Sequence, residues 1–412
     1  MKTETLAIHG GFRGDKETGA TVVPIHQTIS YSYRSAQEIT NVFDGKAPGY
    51  IYTRIANPTT TALEARLAQI EDGIGCIATS SGMAAIASVV MGLVKTGDQI
   101  ITALGIFGGT VSLFKKTLGR FGVKTVFVDV AETSNFARAL NDKTKLIFVE
   151  TISNPGMDVP DVPAIANIAH QVNIPFIVDN TAATPMLIKP SEFGADIIIH
   201  STSKFINGHG TAIGGAVIDT GNYSWREGIF EDIKILSDKA GQLAFLSHLR
   251  NWIYRDLGGC PAPMNSFLML QGLETLVVRM EKHCQNAEKL AQYLQNEPKV
   301  KWVNYPGLTN QTFYHRVEKL FNGRGGALLT FGPGTKEKAY KFINSLKLAR
   351  NSANLGDSKT LVIHPASTIF NEFSDDEKEE MGIAEDMIRV SVGVEDFEDI
   401  KADFEQAIQN IS

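Results

Sequence analysis

From about residue 61 to about residue 220, short apolar runs alternate with stretches of helical period. This alternation restricts the fold more than any other feature. The runs are Gln99–Thr102, Thr125–Val128, Leu146–Glu150, Phe176–Asp179 and Asp196–His200. Between two of them, Val162, Ile165, Ala166, Ala169 and Val172 repeat at the spacing of one helix face. Strands that are apolar throughout need cover on both faces, and intervening helices supply it. The expectation is an α/β chain with a mostly parallel central sheet. Ligands in such sheets bind beyond the carboxyl ends of the strands, so polar residues at those ends are candidates for function.

The flanks read differently. Residues 1–58 form an irregular stretch rich in Gly, Thr, Ser and Tyr. Asn57-Pro58 interrupts the chain, and Thr61-Ala-Leu-Glu64 has the form of a capping box opening a helix. Helices are expected at Asn265–Met280, His283–Leu294 and Asp396–Ile411, and strands at Ala327–Phe331 and Thr360–Ile363. A chain of 412 residues exceeds one ordinary core. We therefore expect an arm at 1–58, a large domain at 59–257 and a smaller α+β domain at 258–412.

Composition excludes several function classes. Hydrophobic residues at 43% and charged residues at 20% describe a globular chain. A net charge of −6 argues against non-specific nucleic-acid binding, which wants a basic surface. No apolar run reaches the length of a membrane helix, and the N-terminal MKTETLAIHGG lacks the apolar core of a signal peptide. Cys76, Cys260 and Cys284 are far apart and odd in number, which indicates neither a disulfide framework nor a zinc site. His200, His209 and His364 are not at metal-ligand spacing, so no metal is expected. A cytoplasmic setting is the default.

Four features in the alternating region could carry chemistry. Ser80-Ser-Gly-Met83 precedes the small-residue helical run Ala84–Val94, and a glycine turn into a helix N-terminus offers N–H groups to an anion. Asp179 ends an apolar strand; as a lone residue it would serve as an N-cap, but it could also keep a pyridine nitrogen protonated. In His200-Ser-Thr-Ser-Lys204 the lysine just past a buried strand could form an imine, with Ser201 and Ser203 beside it for a phosphate. In Ile106-Phe107-Gly-Gly-Thr110 the ring could stack on a flat cofactor, or could simply pack in the core. Gly208-His-Gly210-Thr-Ala-Ile-Gly214 imitates a dinucleotide fingerprint but follows a lysine loop instead of a strand, and its last spacing is wrong.

Together, in this chain order, these features resemble the Cys/Met-metabolism family of pyridoxal-5′-phosphate (PLP) enzymes over nearly the whole length. The segments that carry the resemblance are Tyr52-Thr-Arg54 with Asn57-Pro-Thr59, Ser81-Gly-Met83, Glu150-Thr-Ile-Ser-Asn154-Pro155, Val178-Asp-Asn-Thr181, Ser201-Thr-Ser-Lys204, His364-Pro-Ala-Ser-Thr368 and Arg389-Val-Ser-Val-Gly393. Within the family the chain is most similar to the O-acetylhomoserine sulfhydrylase branch. The reasons are Phe205-Ile-Asn-Gly-His-Gly-Thr211, Gly214-Gly215, Asp219-Thr-Gly-Asn-Tyr-Ser-Trp225, and Arg255-Asp-Leu-Gly258 running into Pro263–Glu274.

The resemblance implies a fold-type I PLP-dependent transferase of aspartate-aminotransferase-like architecture. Lys204 would hold PLP as a Schiff base and then shuttle protons, and Asp179 would pair with the ring nitrogen. Ser81, the Gly82 and Met83 amides, Ser201 and Ser203 would hold the phosphate, and Phe107 would stack on the ring. Tyr52 and Arg54 would complete that site from a neighbouring subunit touched by the arm, giving shared active sites in dimers within a homotetramer. Tyr52 could also supply a catalytic phenol. Arg389 would bind the substrate carboxylate, assisted by the backbone at Thr360 and by Asn154, which would also contact the cofactor. The implied reaction is γ-replacement of O-acetyl-L-homoserine by sulfide or methanethiol, the sulfur arriving free or on a carrier protein. Methionine or cystathionine γ-lyase and cystathionine γ-synthase are the alternatives within the family, and a PLP-binding regulator is the alternative outside catalysis. Two departures stand out: many members carry Tyr where this chain has Phe107, and Ser203 replaces the commoner Thr. Loss of the phenol suits an acetate leaving group, a weak base that needs little acid assistance.

Overall fold

The computed structural model describes residues 1–411. All five expected runs are strands: β2 (Gln99–Ala103), β3 (Lys124–Val128), β4 (Thr144–Glu150), β5 (Phe176–Asp179) and β6 (Ile197–His200). They pair in parallel, and two strands that the apolar pattern did not reveal extend the sheet. These are β1 (Gly75–Thr79) and β7 (Gly215–Asp219), giving the order β1-β7-β6-β5-β4-β2-β3. β7 runs antiparallel to both its neighbours. The interior strands β2, β4, β5 and β6 are almost wholly buried, whereas β3, at the sheet's edge, is not. Helices cover the faces; Val162–Gln171 turns Val162, Ile165, Ala166 and Ala169 inward and is capped by Asp161.

The first long helix, Pro58–Ile70, starts earlier than the capping box implied. Asn57 is its N-cap, accepting from Thr59 N–H, and Pro58 occupies the first turn, where its missing N–H costs nothing. Glu64 is instead drawn inward, accepting from Ala78 N–H at 2.9 Å and pairing with Arg250 at 2.8 Å. Residues 1–58 are less irregular than expected and contain two short helices, Thr3–His9 and Ala36–Phe43.

A second sheet follows, with β8 (Trp302–Asn304), β9 (Leu328–Gly332), β10 (Arg350–Asn351), β11 (Leu361–Ile363) and β12 (Ile388–Ser391) in the order β10-β11-β12-β9-β8. Phe331, Phe342 and Phe404 meet edge-on beneath it, with ring centroids 5.2 Å apart in each of two pairs. The helices leading into this region are Pro263–Glu274 and Leu276–Gln295, so the break falls at Thr275 and not near residue 282. Leu276, Met280 and Cys284 of the longer helix belong to the core of the large sheet. Ala287, Leu290, Ala291 and Leu294 belong to the core of the second. The closing helix is Phe397–Gln409, capped by Asp396.

Candidate active site

The carboxyl ends of β4, β5 and β6 and the N-terminus of the helix Gly82–Leu93 open onto one cavity of about 490 Å³. Ser81, Gly82, Met83, Phe107, Asn154, Asp179, Ser201, Ser203, Lys204 and Arg389 all line it.

One end is an anion cradle. Ser81 Oγ caps the helix by accepting from Ala84 N–H, and Ser81 O accepts from Ala85 N–H. The Gly82 and Met83 N–H groups are left at the positive end of a twelve-residue helix. Ser201 Oγ has no partner among the described residues. It sits so close to the helix that a Cβ on Gly82 would lie 2.6 Å from Ser201 Cβ. Ser203 is different: its hydroxyl donates to Gly214 O at 3.1 Å and accepts from Gly214 N–H at 2.9 Å. Its one proton is spent within the loop, which leaves Ser201 as the hydroxyl donor facing the cradle.

The middle holds two carboxyls and the lysine. Glu150 and Asp179 stand opposite each other on adjacent parallel strands. Burial, then the neighbouring Asp179, push the Glu150 carboxyl well above the usual range. Burial also raises Asp179, but hydrogen bonds from Thr181 and the field of His200 oppose it. Hydrogen bonds from Thr181 thus favour the anion at Asp179, whereas burial and the neighbouring Asp179 disfavour charge on Glu150. Glu150 Oε1 also accepts from Phe107 N–H at 2.8 Å, which fixes the start of the loop bearing that ring. Burial and the charge of Arg389 bring the Lys204 amine down to about 8. Its Nζ donates to Asn354 Oδ1 at 2.6 Å.

The far end is a buried guanidinium. Arg389 rises from β12, donates from Nη1 to Asn154 Oδ1 at 3.0 Å and from Nη2 to Asn354 O at 2.8 Å, and leaves Nε without a partner. Burial lowers it to about 10, so it remains a cation at neutral pH.

Three candidate residues lie apart from this cavity. Tyr52 and the exposed Arg54 are on the arm, with the guanidinium 5.4 Å from the Tyr52 ring centroid and Arg54 Nη1 donating to Arg255 O. Thr360 is fully buried, and both its N–H and its hydroxyl are engaged by Glu395. Among the described residues no cluster of His, Cys, Asp or Glu is arranged for a metal.

The donor set fits PLP. An amine stands ready for the carbonyl, a carboxylate for the ring nitrogen, a ring for the flat face, and helix amides with a free hydroxyl for the phosphate. The family model for Cys/Met metabolism PLP-dependent enzymes matches residues 4–409. The chain belongs to that family.

As a Cys/Met-metabolism PLP enzyme it has relatives that match it along its full length. It is 42% identical over 419 residues to homocysteine synthase from Schizosaccharomyces pombe, covering 98% of each chain. It is 40% identical over 431 residues to O-acetyl-L-homoserine sulfhydrylase from Leptospira meyeri, covering 100% of this chain and 97% of the other. A crystal structure from Campylobacter jejuni, described as a putative O-acetylhomoserine (thiol)-lyase with a pyridoxyl-lysine monophosphate, superposes with a TM-score of 0.93. It shares 37% identity and covers 99% of this chain and 100% of that one.

Sequence reasoning missed Asn354, Glu150 and Thr181 as lining of this cavity. Thr181 Oγ1 accepts from Ser201 N–H at 2.7 Å, joining the ends of β5 and β6 on the cavity side. Glu150 and Thr181 do stand at the ends of two family-like segments, which is a signal that could have found them. Asn354 lies in a loop with no such signal, 150 residues from the lysine it contacts.

Proposed function

We propose that this PLP-dependent enzyme converts O-acetyl-L-homoserine and sulfide to L-homocysteine and acetate, with methanethiol giving methionine instead. The observation that carries this is identity of 42% and 40%, end to end, with a homocysteine synthase and an O-acetyl-L-homoserine sulfhydrylase. The geometry supports it. Arg389, with Asn154 at its side, grips the α-carboxylate as a two-pronged donor. Lys204, with an amine near 8, removes the Cα proton and later returns one. When bound, PLP supplies a protonated pyridine ring that takes up the electron pair left at Cα. Asp179 holds the proton at that ring nitrogen. Phe107 covers the ring and offers no phenol, which suits departure of acetate, already a stable anion. The C–O bond at Cγ breaks, a C–S bond forms there, and the sulfide proton ends on the product thiol.

The test is a product assay on PLP-loaded protein with O-acetylhomoserine, with and without sulfide. Homocysteine formed only with sulfide is expected. Keto acid and ammonia formed without any thiol would overturn replacement in favour of elimination.

The same proposal has a subunit aspect. Arg54 and Tyr52 reach the cradle of a second copy, so sites are shared between two chains of a cytoplasmic homotetramer. Lys204→Ala and Arg54→Ala proteins should each be inactive alone. Reassembled together they regain about a quarter of the sites, because half the dimers are mixed and each mixed dimer has one intact site. No recovery on mixing would overturn the sharing.

A further inference from the structure

Behind the cavity, on the other side of the sheet, lies a buried polar cluster that the reaction does not use. Successive residues of a strand point to opposite faces. Asp179 and Ser201 line the cavity, whereas their chain neighbours Asn180 and His200 do not. Both neighbours converge on one atom: Glu71 Oε1 accepts from Asn180 Nδ2 at 2.9 Å and meets His200 Nε2 at 2.5 Å. Glu71 and Asn180 are fully buried and His200 is 1% exposed.

Glu71 is itself anchored. It closes the helix Pro58–Ile70, its N–H donating to Leu67 O, and its carbonyl accepts from Ser191 Oγ at 3.0 Å. Asn180 Nδ2 also donates to Ile188 O. Among the described residues no Lys or Arg pairs with the carboxyl, so its contacts are the two strand ends. A buried carboxyl is costly unless it is paired or hydrogen-bonded, and here Asn180 and His200 both serve one oxygen while Oε2 has no partner among the described residues.

We propose that Glu71 is a positioning residue for the cofactor pocket, holding the ends of β5 and β6 together through Asn180 and His200. Thr181 and Ser201 make the matching link on the cavity face. The two links fix the spacing between the group for the ring nitrogen, Asp179, and the hydroxyl for the phosphate, Ser201. A rigid cofactor must satisfy both at once, so a loose strand end costs affinity for it. This inference rests on the PLP reading of the site.

The experiment measures equilibrium PLP affinity and the apoprotein unfolding midpoint for wild type, Glu71→Ala, Glu71→Gln and Asn180→Ala. Glu71→Ala strands two buried donors and should weaken PLP binding about tenfold or more. Glu71→Gln keeps an acceptor oxygen for both donors and should restore affinity to within about threefold. Asn180→Ala cuts one tether while the carboxyl keeps its imidazole partner, so it tests the idea even if Glu71→Ala fails to fold; an intermediate loss is expected. A merely structural residue would lower the unfolding midpoint and leave the affinity of the folded protein unchanged. That result in Asn180→Ala, or failure of Glu71→Gln to rescue, overturns the inference. Wild type that does not bind PLP overturns the cofactor reading and this inference with it.

Discussion

Lys204 is useful only while its nitrogen carries a lone pair. With its amine near 8, the fraction ready to react climbs through pH 8 and levels off above it. The rate at which apoprotein captures PLP, followed by absorbance, should therefore rise with pH through a midpoint at about 8 and flatten above it. Replacing Arg389 by Leu removes the facing positive charge and should move that midpoint upward. Arg389→Lys keeps the charge but loses the fork, and kcat/KM for the amino-acid substrate should fall by about a hundredfold while PLP binding stays intact. Lys204, Asp179 and Arg389 could be read from the sequence because each belongs to a short motif: Asp179 ends a strand, Lys204 follows one, and Arg389 lies within one. Asn354 could not, because its contacts to Lys204 and Arg389 exist only once two distant segments meet.

At the scale of elements, the helix Gly82–Leu93 shows how tightly the cradle is built. A Cβ on Gly82 would meet Ser201 Cβ at 2.6 Å and Ser201 Cα at 3.0 Å, and the latter belongs to backbone that cannot swing away. Gly82→Ala should cost about 1–3 kcal/mol of stability in a thermal melt and abolish measurable PLP binding in dialysis. The parallel strands were legible because a short, continuous apolar run between helices fits a strand buried on both faces and little else. The antiparallel pair β1 and β7 was not: Gly75 and Gly215 open runs whose small side chains keep them from standing out. Gly215 is there because Ser81 O takes up the space that a Cβ would need. The helix break at Thr275 was missed because apolar spacing continues across it. It is marked instead by Arg279, whose guanidinium donates to Gly272 O and Phe205 O and so binds the bend to the lysine loop.

At the scale of the molecule, the two hydrophobic cores share one helix. Leu276 anchors Leu276–Gln295 in the first core and Leu290 anchors it in the second. Leu276→Ala and Leu290→Ala should each destabilise by about 2–5 kcal/mol. Both should shift one common transition in calorimetry rather than splitting it into two. A change of pattern after residue 258 was visible in the sequence, but not that a single helix would thread both parts, since amphipathic period says nothing of which partner each turn meets. That helix is twenty residues long, a rod of about 30 Å. Its Arg279 holds the lysine loop through Phe205 O, and its His283 meets Val392 O, just beyond Arg389 on the same strand's exit. Any swing that widens the gap between amine and guanidinium must bend the rod or break one of these two ties. The two ends of the cavity, one at the lysine loop and one just past Arg389, are thus tied from behind to a single rod.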